Sequence, residues 1–299
     1  MKKDFLKLHI SILLAGFTGI FGKLITLNEG LLVWYRLLLS FVMFYLILFF
    51  ARKIPHETSK DVLKISGLGM LLGLHFLFFF ASIKYSNVSV GVVCYSLVGF
   101  FTAVFEPIIY KRSLSIVELL FSLIAVAGIG LIFNIDTHFQ TGIILGIISA
   151  AIFAIYTIYN KIIEVGKTSR SMLFYELLGG TVFVSLVLPL YMHFNSVKMV
   201  FPSLPDLSYL LILAFFCTIG LYILHIQVLK TISAFTVSLS GNLEPVYGIL
   251  LAVLLFGEAK ELTLTFYLGM FLIILSVFLQ SLAALRPKEN VVKIEEINS

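Results

Sequence analysis

The sequence predicts an all-α membrane protein: ten transmembrane helices in two inverted five-helix repeats, with both termini on the cytoplasmic side. Three observations predict it. The first is composition: 60% of the 299 residues are hydrophobic and only 12% are charged, and mean hydropathy is +1.07. Soluble domains run at about 45–50% apolar and about 25% charged. The second is the placement of Lys and Arg, and the third is an internal repeat.

A spanning helix needs about 20 mostly apolar residues. Ten stretches meet this in order: 8–27, 31–51, 62–83, 86–110, 114–134, 141–160, 170–193, 206–229, 233–256 and 262–284. The links between them are short. RKIPHETSKD (52–61) and NIDTHFQTG (134–142) are the most polar, HFNSVKMVFPSLPD (193–206) is the longest, and RPKENVVKIEEINS (286–299) is a polar tail. No link leaves room for a soluble domain. The start, MKKDFLKLHISILLAGFTGIFG, imitates a signal peptide. No small-x-small cleavage site precedes Lys23, and a later segment resembles this one, so it reads as the first span.

With the N-terminus inside and ten crossings, one side carries Lys2, Lys3, Lys7, Arg52, Lys53, Lys60, Lys64, Lys111, Arg112, Lys161, Lys167, Arg170, Lys230, Arg286, Lys288 and Lys293. The other carries Lys84, Lys198 and Lys260. Sixteen against three is a positive-inside bias. It accounts for the net charge of +5 with no nucleic-acid partner. Cys94 and Cys217 both lie in apolar runs, so neither a disulfide framework nor a CxxC metal pair is available. Walker A, HExxH, GxSxG and metal-ligand clusters are absent from the sequence.

The repeat divides the chain at 1–135 and 136–285, followed by the tail 286–299. SIKYSNVSVGVVCYSLVGFFTAVF (82–105) lies on VLKTISAFTVSLSGNLEPVYGILL (228–251) at a constant offset of 146, with Lys84 on Lys230. GLHFLFFF (73–80) resembles GLYILHIQ (220–227) with a one-residue slip, and WYRLLLSF (34–41) matches FYELLGGT (174–181). Five spans per repeat is odd, so the second repeat enters the membrane inverted. That is a transporter architecture, with the site expected near the midplane between the repeats.

LEPVYGILLAVLLFGE (243–258) resembles the signature of EamA-type members of the drug/metabolite transporter superfamily. HFLFFFASIKYSNVSVGVVCYSLVGFFTAVFEPIIYKRSLS (75–115) resembles the corresponding first-half block. The resemblance implies an inner-membrane carrier with ten helices and two EamA repeats. It implies export of metabolites, amino acids or drugs; no cofactor is expected. Two features depart from the pattern: Gly99 stands where proline is common, and Lys111-Arg112 where glutamate is common. The halves are therefore asymmetric, and Glu244 aligns with Val98.

The polar residues inside spans are the candidate site. Glu244-Pro245 sits near the middle of the ninth span, after Ser240, Gly241 and Asn242. Proline removes a backbone donor, and a carboxylate in hydrocarbon costs roughly 2.5–3.5 kcal/mol even on mild scales. One reading is an opened helix with a freed carbonyl near Gly241, in which Glu244 binds an amine or carries a proton and Asn242 joins it. The other is a tight helix crossing with a hydrogen-bonded glutamate. His75 and Tyr95 fall mid-depth in spans three and four. His75 is placed to face Glu244 across the pseudo-two-fold and to share a proton step, or else both residues simply pack. His225 reads as interfacial.

Arg36 and Glu176 occupy matching repeat positions, but depth counting separates them by more than about 10 Å. Each is therefore assigned its own vestibule or gate. Arg36 and Lys23 lie in the outer half, where they either attract a carboxylate substrate or snorkel to headgroups. Glu106-Pro107, with Lys111, Arg112 and Lys64 near it, is an interfacial ion pair or an inner gate. Glu118 and Glu258 read as interfacial, and the glycines of GLGMLLG (67–73) and AGIG (127–130) as packing features.

The function expected is secondary-active or facilitative transport of a small molecule across the cell membrane by alternating access, with proton coupling as an option. The alternatives are a nucleotide-sugar or phosphorylated-sugar carrier, which would want several cavity-facing cations, an intramembrane enzyme, and a membrane scaffold.

Overall fold

The structure, a computed structural model, describes residues 2–111, 113–133, 140–194, 198, 201–256 and 264–284. Arg112, Glu258 and the tail 286–299 lie outside the described residues, as do the side chains of Asn242 and Glu118.

The described residues form thirteen α-helices. They are α1 (Lys2–Leu24), α2 (Glu29–Phe50), α3 (Ser59–Lys84), α4 (Val88–Tyr95), α5 (Leu97–Ile109), α6 (Ile116–Phe133), α7 (Gln140–Ile163), α8 (Ser169–Phe194), α9 (Leu204–Ala214), α10 (Leu221–Leu229), α11 (Ala234–Ser240), α12 (Glu244–Phe256) and α13 (Leu264–Ala284). A π-helical turn, Phe215–Gly220, joins α9 to α10, and a 3-10 turn, Gly241–Leu243, joins α11 to α12. Eight of the resulting rods are long and apolar enough to cross a membrane. They are α1, α2, α3, α4–α5, α7, α8, α9–α10 and α11–α12. α6 and α13, of 18 and 21 residues, pack on each other and are apolar over Leu119–Gly128 and Tyr267–Ser276 among the described residues. The first helix starts at Lys2 rather than at residue 8.

Local chemistry sets the helix starts. Asn28, Thr58, Asn87, Ser203 and Ser233 each cap a helix by accepting a hydrogen bond from a backbone N–H in its first turn. These caps carry the repeat. Thr58 and Ser203 lie 145 positions apart, and each begins a 26-residue rod with an aspartate three residues on, Asp61 or Asp206. Asn87 and Ser233 lie 146 apart. The π-turn lies between the two registers, and a π-turn holds one residue more than an α-turn. It therefore supplies the residue by which the register changes.

The two breaks also coincide at this offset. Tyr95 ends α4 and Gly241 begins the 3-10 turn, and a Cβ built on Gly241 would lie 3.9 Å from the Tyr95 ring. The proline of the Glu-Pro pair therefore sits in the first turn of α12, where its missing N–H costs nothing, and not in a helix interior. The Gly241 carbonyl, expected to be free, is closed by the Glu244 N–H.

Third rods are exchanged between the halves. α3 packs on α7 and α8, while α9 and α10 pack on α1 and α2 or α8. The α3–α8 crossing is very close. A Cβ on Gly69 would lie 2.0 Å from the Glu176 carbonyl oxygen, so glycine is required there.

Candidate functional site

Between the halves lies a buried cavity with walls from α1, α2, α3, α4, α7, α10, α11, the 3-10 turn and the start of α12. Four of the residues singled out in the sequence meet in it: Arg36, His75, Tyr95 and Glu244. It offers about 50 Å³ to water-sized molecules, enough for roughly three to five waters.

Arg36 is wholly buried. Its head therefore does not snorkel to headgroups. Leu32, Arg36, Ser40, Phe44 and Leu48 form one buried stripe of α2 at four-residue spacing, so the side chain points inward at whatever depth its Cα lies. The π-turn receives it. Arg36 Nε donates to Thr218 Oγ1 at 2.8 Å and Nη2 to the Cys217 carbonyl at 2.8 Å. The inserted residue breaks the regular ladder and turns that carbonyl outward. The guanidinium carbon stands 3.8 Å from the centroid of Phe76, a cation–π contact. Nη1 is buried without a hydrogen-bond partner among the described residues, a vacancy that costs about 1–3 kcal/mol.

Glu244 is 4% exposed, lines the same cavity and acts electrostatically on Arg36. No ion pair within 4.0 Å joins the two among the described residues. A cation and a carboxylate thus share one apolar chamber without neutralising each other by contact.

His75 is held by α7. Its Nδ1 lies 2.8 Å from Ser149 Oγ and 3.2 Å from the Ser149 carbonyl, and Ser149 Oγ donates to the His75 carbonyl at 3.0 Å. The ring packs against Phe153 and Tyr95 at centroid distances of 4.6 and 5.7 Å.

Three other candidates are elsewhere. Lys23 is exposed and does not line the cavity, because it falls on the outward face of α1. Glu176 is buried and does not line this cavity. It accepts from Tyr156 Oη at 2.9 Å and from Asn160 Nδ2 at 2.6 Å, both on α7. Those bonds satisfy it in place. Glu106 is buried, acts electrostatically on Lys161 and does not line the cavity.

Several wall residues escaped the sequence reading. His225, expected at the interface, is 7% exposed and lines the cavity, as do Tyr222, Phe153 and Ser238. The repeat held the signal. At offset 146, Phe76 pairs with Tyr222 and Phe79 with His225, and all four are wall residues. The sequence alignment slipped by one over this stretch, beside the π-turn that changes the register.

Comparison with known proteins agrees with this architecture. A solved structure described only as "Crystal structure of protein" superposes with a TM-score of 0.70 at 17% identity, covering 94% of this chain and 98% of that one. At that identity it speaks for the fold alone. An "Uncharacterized transporter" of Haemophilus influenzae (strain ATCC 51907 / DSM 11121 / KW20 / Rd) is 26% identical over 167 residues, 51% of this chain and 53% of the relative. The match thus spans about half the length of that relative. The EamA-like transporter family matches residues 5–134 and again 140–282. Two tandem matches over nearly the whole chain, on a multi-pass helical fold, place this protein in the EamA-like transporter family.

Proposed function

We propose that this chain is a secondary-active or facilitative carrier, a transporter rather than an enzyme, that moves small amphiphilic metabolites such as amino acids through the cavity between two inverted repeats, 1–135 and 136–285. One observation carries the reading: Arg36 and Glu244 sit in the same buried aromatic chamber without contact. Arg36 Nη1 offers a donor to a substrate carboxylate, Glu244 an acceptor to an amine or a proton, and the His75, Tyr95, Phe153 and Tyr222 rings an apolar wall. A charge held in low dielectric binds its complement far more strongly than it would in water.

The proposed cycle is alternating access across ten spans with both termini cytoplasmic, as the Lys and Arg distribution supports. Export and proton coupling through Glu244 and His75 belong to the same proposal. The phosphorylated-sugar alternative is disfavoured because Lys23 stands outside the cavity, leaving Arg36 as its cation among the described residues, beside two histidines.

The test is expression of wild type and Glu244→Gln at matched membrane levels in one host, with metabolites compared inside the cells and in the medium. A compound that leaves with wild type and not with the variant names the substrate and gives Glu244 its role. Equal movement with both makes Glu244 structural. No difference between wild type and an empty vector, across a panel of hosts, removes the carrier reading.

A further inference from the structure

The two membrane faces carry the same device built from different residues. The α1–α2 turn belongs to the first half, yet it is bound by the capping aspartate of the second half's third rod. Thr26 N and Oγ1 donate to Asp206 Oδ1 and Oδ2, both at 2.7 Å. The α7–α8 turn belongs to the second half and is bound by the capping aspartate of the first half's third rod. Lys167 Nζ meets Asp61 Oδ2 at 2.6 Å and Glu57 Oε2 at 2.7 Å.

Each turn is also tied to its own half by the lysine that ends its own third rod. Lys84 Nζ donates to the Ile25 carbonyl and Lys230 Nζ to the Lys167 carbonyl, both at 2.6 Å. These lysines are repeat partners, 146 positions apart. The lysine bond therefore stays within a half, while the aspartate bond crosses between halves.

Lys84 places the Thr26 turn at the end of α3 opposite Asp61. From Asp61 to Lys84 along α3 that separates the two contacts by about 35 Å, enough to span the hydrocarbon core. The cavity lies between them, narrow while both contacts are made.

From this geometry we propose that Thr26–Asp206 and Lys167–Asp61/Glu57 are the two gates of the transport cycle, each broken in turn while the Lys84 and Lys230 bonds hold each turn to its own half. This rests on the carrier reading. It replaces Glu106 and Glu176 as gate residues: Glu176 is bonded between α7 and α8, two helices of one half. The gates differ in strength. One is an ammonium between two carboxylates; the other is a neutral threonine and a backbone N–H on one carboxylate. Both rest on charge-assisted hydrogen bonds to a carboxylate, and only the Lys167 contact adds ion pairing.

The test reads which face the cavity opens to. Ser11 lines the cavity; Ser11→Cys is made in a Cys94→Ser, Cys217→Ser background and labelled with a membrane-impermeant maleimide in right-side-out and inside-out vesicles. Lys167→Ala, which removes both ion pairs, should raise labelling from the Asp61 face by at least about threefold, the scale of partly exposed ion pairs. Asp206→Asn should raise it from the opposite face. Lys60→Ala, an exposed lysine beside Asp61, should change neither. If Lys167→Ala fails to fold, Glu57→Gln with Asp61→Asn supplies the same arm at constant volume. Lower thermal stability without a change of labelled face, or the same face opening in both variants, overturns the proposal. Labelling needs no substrate, so the gates and the metabolite comparison succeed or fail separately.

Discussion

Gly69→Ala tests the helix crossing that closes one end of the molecule. The new Cβ would lie 2.0 Å from the Glu176 carbonyl oxygen, 2.7 Å from its carbon and 2.8 Å from Gly180 N. All three are backbone atoms of α8, so no side chain can swing aside. Ordinary contact begins at 3.4 Å, and α3 and α8 must therefore part by more than an ångström. Overpacking a close contact costs about 1–3 kcal/mol, and a backbone obstacle puts this site at the upper end. At about 2–4 °C per kcal/mol for a chain of this order of size, Tm should fall by about 6–12 °C. Gly67, two residues earlier on the same helix, has nothing within 4 Å of its built Cβ. Alanine there gains up to about 1 kcal/mol of helix propensity, so Tm should hold or rise slightly. The assay is thermal unfolding of both purified variants in one detergent. Equal losses for both, or none at Gly69→Ala, would refute the argument from helix approach.

Two further predictions follow from named contacts. Thr218→Val keeps the shape of the side chain but removes the acceptor of Arg36 Nε at 2.8 Å; a buried charged donor is then unmet, and Tm should fall by the equivalent of about 1–3 kcal/mol, measured in the same unfolding assay. Hydrogen bonds from Lys167 and then Ser171 hold the Glu57 carboxyl, in the loop before α3, below its ordinary value of 4.5. A depressed carboxyl contributes stability that is present above its unfolded pKa and is lost as pH falls through the folded value. Tm should therefore be insensitive to this group at neutral pH and drop on strong acidification, and Glu57→Gln should flatten that acid limb; an unchanged limb would show that the contact adds nothing.

Much of the architecture was readable because a membrane restricts what a chain can do. Backbone polar groups in hydrocarbon must be satisfied internally, so apolar runs of sufficient length become helices, and the expected span limits fall within about three residues of the helices for seven of the eight rods. The break at Glu244-Pro245 was legible from proline chemistry, though displaced. The helix restarts at Glu244, and the 3-10 turn before it uses the carbonyl that a mid-helix proline would have freed. Glu244, His75 and Tyr95 could be named because an ionisable or polar group at mid-depth is conspicuous in an apolar sequence.

Facing was not readable, for a physical reason. In a soluble helix the polar side marks solvent; here lipid and protein core are equally apolar, so periodicity says little about which side faces inward. Depth counting put Arg36 near a headgroup and His225 at an interface, yet each lies on an inward stripe. Composition, the multi-pass helical class, repeat order and the presence of an acid within an apolar run belong to the sequence, because they follow from transfer free energy residue by residue. The meeting of Arg36 with Glu244, the exclusion of Lys23 and the pairing of each turn with the other half's aspartate belong to the tertiary structure. They depend on helix rotation and on one extra residue at Phe215–Gly220, and packing between distant segments sets both.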